Sequence, residues 1–232
     1  NIVRSTDNGS SWDNATSPTG NNINAVTFGN NTFIGVGASG NIVRSIDNGS
    51  SWDNATTDNS TTNILSGVGV GNNTFVGVGA SGNIVRSTDN GSSWDNATSP
   101  TSNYLKGVTF GNDTFVTIGS FGNIVRSTDN GSSWDNVTSP TAENLKGVSF
   151  GNDTFVAVAQ SGNIVRSTNN GSTWDNVTSP TTSNLLGVSF GNNTFVAVGN
   201  SGNIVRSTNN GSSWDNATSP TGNAIYGVTF YE

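Results

Sequence analysis

The residues with most chemical potential recur at one fixed spacing. Each of the six arginines, Arg4, Arg44, Arg86, Arg126, Arg166 and Arg206, stands three positions before an acid or amide: Asp7, Asp47, Asp89, Asp129, Asn169 and Asn209. Arginines drawn together could hold an anion through paired N–H donors, and gathered carboxylates could hold a cation or move a proton. The spacing opposes both. All six arginines occupy one repeat position, so a ring distributes them instead of focusing them, and their expected role is to pack between neighbouring units and pair with an acid such as Asp13. An anion-binding ring is the functional alternative. The Asp-Asn-Gly runs share only their start with calcium loops, which need carboxylates at alternate positions and a closing bidentate acid. Cys, His and Met are absent, which excludes disulfides, the usual zinc ligand sets and any His- or Cys-based catalysis. No cofactor and no metal is expected.

These residues are positioned by a repeat. The stretch Asn1 to Asn14 returns almost letter for letter at Asn41, Asn83, Asn123, Asn163 and Asn203, so successive copies start 40, 42, 40, 40 and 40 residues apart. The two extra residues fall in the loop Thr57–Ser66. Each full unit reads as four short strands, by β-branched and aromatic content and by turn punctuation. They are Ala25–Phe28, Thr32–Val36, Ile42–Ser45 and a fourth around Trp52, separated by reversals at Gly29-Asn30-Asn31 and Gly37–Gly40. A sheet apolar on both faces needs a neighbour on each side, and a closed ring supplies both. The expectation is an all-β, six-bladed β-propeller of four-stranded antiparallel blades, one domain over residues 1–232. An open β-solenoid would need shorter coils and capping units.

The ends of the pattern are offset. The chain starts at a third strand and ends at a first, Gly227–Phe230, so the closing blade is expected to be shared by the two termini. Counting runs gives six first, six third and six fourth strands but five second strands. With the second strand missing, the terminal first strand would lie parallel to Asn1–Ser5. A three-stranded closing blade, a strand donated by another chain and a truncated sequence are the competing explanations, and six blades with an incomplete closing one is favoured. Oligomerisation through that blade is one consequence.

Ser5-x-Asp7-x-Gly9-x-Ser11-Trp12, repeated at Ser45–Trp52, Ser87–Trp94 and Ser127–Trp134, resembles the Asp box of bacterial neuraminidase repeats. Ser167–Trp174 and Ser207–Trp214 carry Asn169 and Asn209 in place of the acid. The resemblance covers the whole chain and implies an Asp-box propeller, a group that includes sialidases and photosystem II stability/assembly-factor propellers. In that family the boxes are structural. The residues agree: glycine permits the reversal, the acid accepts backbone N–H bonds, and Trp12, Trp52, Trp94, Trp134, Trp174 and Trp214 cover the turns. A sialidase would converge three arginines and pair a tyrosine nucleophile with a glutamate. The only glutamates here are Glu143 and Glu232, so no enzyme is expected.

Composition narrows the partners. Hydrophobic residues make up 31% of the chain and charged ones 10%, with 30 glycines and a net charge of −7. No basic face exists to neutralise nucleic acid, and no apolar run is long enough to span a bilayer. Partners are expected to be protein or glycan surfaces, with no membrane insertion. The absence of a starting Met reads as a processed or excised domain, and the location is expected to be extracellular or cell-surface. Asn-x-Ser/Thr triplets such as Asn14, Asn30, Asn54 and Asn96 are expected from an Asn/Ser/Thr-rich composition alone.

A ligand would be read where the copies differ. Hairpins after the first and third strands are nearly invariant, whereas the connections after the second and fourth vary. One position before the first strand shows Asn24, Ser66, Lys106, Lys146, Leu186 and Tyr226. A neighbouring one shows Tyr104, and the second-to-third turns bring Phe121, Gln160 and Asn200. Loops at one end of a rigid scaffold are the usual place for recognition, and drift after duplication is the plain alternative. The favoured function is a non-enzymatic binding or scaffold module, or surface display. A multivalent lectin comes second, because the one aromatic kept in every copy is the box tryptophan. A designed or recently amplified repeat with no selected ligand comes third.

Overall fold

The structure, a computed structural model, describes residues 1–57 and 62–230. Glu232 and part of the loop with the two extra residues lie outside them. The chain opens with a hairpin, β1 (Ile2–Arg4) and β2 (Asp13–Ala15). The first full blade is β3 (Ile23–Gly29), β4 (Thr32–Gly37), β5 (Ile42–Ser45) and β6 (Asp53–Asn54). A short β7 (Thr56–Thr57) precedes the second: β8 (Leu65–Gly71), β9 (Thr74–Gly79), β10 (Ile84–Ser87) and β11 (Ser93–Ala97). The third is β12 (Leu105–Gly111), β13 (Thr114–Gly119), β14 (Ile124–Ser127) and β15 (Asp135–Val137). The fourth is β16 (Leu145–Gly151), β17 (Thr154–Ala159), β18 (Ile164–Ser167) and β19 (Asp175–Val177). The fifth is β20 (Leu185–Gly191), β21 (Thr194–Gly199), β22 (Ile204–Ser207) and β23 (Asp215–Ala217).

Each blade is an antiparallel meander in chain order, and the blades form a β-propeller. β7 adds to the second sheet by pairing parallel to β11. The first strands stand innermost around a central channel, where backbone meets backbone: a Cβ on Gly147 would come within 3.1 Å of the Gly187 Cα. The second strands, rich in Phe and Val, are buried on both faces in β9, β13 and β17. Between blades the packing repeats. Val116, Ile118 and Ile124 of the third blade meet Leu145, Phe155, Ala157, Val165 and Trp174 of the fourth. The same arrangement joins first to second, second to third and fourth to fifth.

Arg4, Arg44, Arg86, Arg126 and Arg166 bridge blades as expected but choose another partner, whereas Arg206 is exposed. Nε of Arg44 donates to the Asn90 carbonyl at 2.8 Å and that of Arg86 to the Asn130 carbonyl at 2.6 Å, each in the next blade's turn. Asn90 and Asn130 have φ of 63° and 57°, the left-handed conformation of a tight turn, and their carbonyl oxygens accept the guanidinium. The expected pairing with Asp13 and its equivalents does not form among the described residues, although strand register sets Arg4 opposite Asp13. The arginine stem points across the interface, and the carbonyl there takes the guanidinium first.

The closing blade differs from the rest. Among the described residues only β1 and β2 pair in it, and residues 224–230 join no ladder. That segment nevertheless sits where an innermost strand belongs: Phe230 lies over Gly191 as Phe190 lies over Gly151, and Ile225 N–H donates to the Gly199 carbonyl at 3.0 Å. The parallel pairing of Gly227–Phe230 with Asn1–Ser5 therefore does not occur. The segment's aromatic ring holds it on the fifth blade, whereas Arg4 ties the hairpin to the first by donating to Ser50 Oγ at 2.8 Å.

Candidate binding face at the channel mouth

The Asp boxes build the face opposite the variable one. In the second blade Asp89 accepts Ser93 N–H at 2.9 Å, Ser93 Oγ–H at 2.6 Å and Ser87 Oγ–H at 2.8 Å. Indole N–H of Trp94, Trp134, Trp174 and Trp214 donates to the carbonyl of the box glycine at 3.0–3.1 Å, and Trp52 does so at 3.2 Å. Asn169 keeps the turn by accepting Thr173 N–H and donating its amide to the Thr173 hydroxyl. Asn209 does the same with Ser213. Both carboxylate oxygens of each box aspartate are engaged within the turn.

Those bonds depress the acids. Asp7 and Asp47 are held at about 2, against an ordinary 3.8, chiefly by the hydroxyls of Ser11 and Ser51. At Asp89 and Asp129 partial burial opposes ionisation, and the combined bonds from Ser93, Ser87, Ser133 and Ser127 still bring the value to about 2. Because the folded value lies below the unfolded one, the stability these groups contribute is complete above about pH 4 and is lost as pH falls towards 2. Thermal midpoints measured from pH 5 to pH 2 should fall across that window. In D89N/D129N, which copies the fourth and fifth blades, the fall should be visibly shallower.

The variable positions converge on the channel. Strand register shifts between Ile23 and Ala25, Leu65 and Gly67, Leu105 and Gly107, Leu145 and Gly147, and Leu185 and Gly187. The residue inside each shift is Asn24, Ser66, Lys106, Lys146 or Leu186, so every one is a bulge, which re-aims its side chain. Ser66, Lys106, Lys146 and Leu186 line the central channel, a space of about 310 Å³. Lys106 and Lys146 are the only lysines in a chain of net charge −7. Asn24 turns to the Leu65 carbonyl at 2.8 Å and acts as a strut between blades. Tyr104 meets the Ser66 hydroxyl of the preceding blade.

The turns after the second strands lie on this same face, because each bonds to the residues entering the first strands. Ser120 N–H donates to the Tyr104 carbonyl at 2.9 Å, and Phe121 N–H reaches the Asn144 side chain at 2.9 Å. Gln160 accepts the Asn144 amide at 2.7 Å, and the Asn200 carbonyl accepts the Asn203 amide. Phe121 is 73% exposed, Tyr226 77% and Ile64 44%. Phe121 has φ 57°, where the other copies place Ser39, Ser81, Ser161 and Ser201. Any Cβ there, serine or phenylalanine, costs about 1–2 kcal/mol. Phe121→Gly should therefore raise unfolding stability by ~1 kcal/mol in urea titration.

Trp12 departs from the expected packing role. It is 62% exposed, against 1–6% for the tryptophans of the second to fifth blades. The box itself is intact around Asp7. What Trp12 lacks is the neighbouring strand that covers its counterparts.

The family described as Photosynthesis system II assembly factor YCF48 matches residues 1–232. No curated protein matches the sequence. Among solved structures, YCF48 bound to D1 peptide is similar at TM-score 0.69 and 20% identity, over 88% of this chain and 68% of that one. YCF48 from Cyanidioschyzon merolae is similar at TM-score 0.58 and 15% identity, over 91% and 90%. The GH74 enzyme of Niastella koreensis is similar at TM-score 0.64 and 20% identity, over 83% of this chain but 30% of that one. At these identities the likenesses establish the fold. The family match also overturns the expected extracellular or cell-surface location, since a photosystem is assembled inside the photosynthetic cell.

Proposed function

The chain belongs to the photosynthesis system II assembly factor YCF48 family, and from that premise we propose that it is a non-catalytic propeller that binds a polypeptide on its variable face. The observation that carries this reading is the placement of both lysines, Lys106 and Lys146, at the channel mouth of an otherwise acidic chain. Exposed Phe121, Tyr226 and Ile64 lie on the same face and offer apolar anchors around that charge. A positive centre with an aromatic surround suits an acidic peptide. The solved YCF48 complex with a D1 peptide supports a peptide as the ligand class.

Titration of a fluorescent D1 peptide tests it. K106E/K146E should weaken binding about tenfold or more, the equivalent of ~1.4 kcal/mol, and raised salt should narrow the difference. Phe121→Gly should weaken binding several-fold while the fold grows more stable. Equal affinity of K106E/K146E and the parent would refute the site.

A further inference from the structure

The turn chemistry of the Asp boxes carries a covalent liability. Each box reverses through an Asn-Gly pair: Asn8-Gly9, Asn48-Gly49, Asn90-Gly91, Asn130-Gly131, Asn170-Gly171 and Asn210-Gly211. The six asparagines lie at φ between 56° and 63°, and the glycines between 74° and 83°. A tight reversal that needs two successive left-handed residues selects Asn followed by Gly, the pair that adopts them with least strain. The same pair is the one most open to self-modification, because asparagine is thermolabile and glycine has no Cβ to keep its nitrogen away from the asparagine Cγ.

In three of these turns both groups are held. Gly131, Gly171 and Gly211 donate their N–H to the box serines Ser127, Ser167 and Ser207 at 2.9–3.0 Å. The asparagine side chains are held from the preceding blade. Asn72, in the first hairpin of the second blade, donates to Oδ1 of Asn130 at 3.2 Å; Asn112 does the same to Asn170, and Asn152 to Asn210. Each of these hairpin amides has a further hold on that same next blade, at Asp113, Asp153 or Asn193, over 2.8–3.3 Å. The joint between two complete blades thus passes directly through the Asn-Gly carboxamide.

We propose that Asn130, Asn170 and Asn210 are latent sites of spontaneous deamidation, each guarded by the hairpin asparagine of the preceding blade. The reaction needs only water. The glycine nitrogen bonds to Cγ, the Cγ–Nδ2 bond breaks, and Nδ2 leaves as ammonia with the glycine proton, which gives a succinimide. Water then adds to either succinimide carbonyl and opens the ring to aspartate or isoaspartate. Bringing Cγ onto the nitrogen means giving up the bond to Asn72, Asn112 or Asn152 and the glycine N–H bond to serine, so the reaction is confined to moments when the joint opens. Loss of ammonia makes it one-way, and modification accumulates as a record of those openings. Isoaspartate also reroutes the main chain through the former side chain. That displaces the carbonyls of Asn130, Asn170 and Asn210, which accept Nε of Arg86, Arg126 and Arg166 at 2.5–2.6 Å, and leaves the joint weaker than before. These sites lie on the face opposite the channel mouth and are independent of peptide binding there.

The repeat supplies its own controls. Trypsin cuts after Arg126, Lys146, Arg166 and Arg206, so the three sites fall in different peptides, 127–146, 167–206 and 207–232. The intact chain is aged in mildly alkaline buffer, folded and in urea, and each peptide's conversion of amide to acid is followed by mass spectrometry. All three should react about tenfold or more slowly in the folded protein than in urea. Asn72→Gly removes the guarding amide and suits the φ of 45° at that position. It should speed peptide 127–146 roughly tenfold and leave 167–206 at the parent rate. Asn112→Gly should reverse the pattern and speed 167–206 alone, with circular dichroism showing both variants folded. The idea is overturned if folded and urea-treated protein react equally, or if neither variant changes the peptide it guards. It is also overturned if either variant speeds all three peptides alike, since general loosening would then be the cause.

Discussion

Phe155→Ala is expected to destabilise the protein by about 3–5 kcal/mol, the range for emptying a large aromatic site in a close-packed core. Phe155 is fully buried in the contact between third and fourth blades, with its ring centroid 4.6 Å from that of Phe150 and 6.4 Å from that of Trp174. It touches both blades, so its removal weakens a joint of the ring as well as one sheet. Phe33 occupies the same position in the first blade, facing the cavity beside the incomplete closing blade, and is only half-buried. Phe33→Ala should cost less than half as much, since part of its surface is already exposed and little new void is made. Urea unfolding of the two variants, followed by circular dichroism, checks the pair. Equal losses would mean that the closing blade is as tightly packed as the others, against the exposure of Val3 and Trp12.

That contrast marks how far the sequence could be read. Period, strand count and turn residues imply a propeller because a sheet apolar on both faces has few other ways to bury them. That the given sequence holds one second strand fewer than first strands is also legible, since it is a matter of counting Thr-Phe-Val and Thr-Phe-Ile runs. The structural consequence of the shortage is not legible in the same way. Whether Gly227–Phe230 would move against Asn1–Ser5 or stay on the fifth blade depends on the fit of Phe230 over Gly191, a contact between units that no single unit encodes. The arginines show the same limit. Arg86 and Asp95 are opposite in the sheet, and local reasoning pairs them, but the Asn130 carbonyl of the next blade wins. Variation at Lys106 and Lys146 is visible in the letters, whereas the bulge that turns both towards the channel is a property of paired strands.

Gly122→Ala should be the most damaging of the small substitutions, at about 3 kcal/mol from a strained backbone and a backbone clash combined. Gly122 has φ +69°, and a Cβ there would stand 1.8 Å from the Thr141 carbonyl oxygen and 3.2 Å from the Ala142 Cα. Both obstacles are main chain in the connection to the next blade, which cannot swing aside as a side chain can. Distance alone does not decide the matter. A Cβ on Gly119 would meet the Tyr104 carbonyl oxygen at a similar 2.1 Å, yet Gly119 is extended, with φ −166°. The fourth blade carries Ala159 in that place, at φ −140°, and still keeps the Gln160 N–H bond to the Asn144 carbonyl at 3.1 Å. A modest backbone rotation therefore makes the room, and Gly119→Ala should cost about 1 kcal/mol or less. No such escape exists at Gly122, where relieving the clash would abandon the left-handed turn. Glycine accordingly holds this position in every complete blade, at Gly40, Gly82, Gly122, Gly162 and Gly202. Denaturant midpoints for the two alanine variants, measured side by side, separate the explanations: similar losses would show that contact distance governs, and a gap of roughly 2 kcal/mol that backbone conformation does.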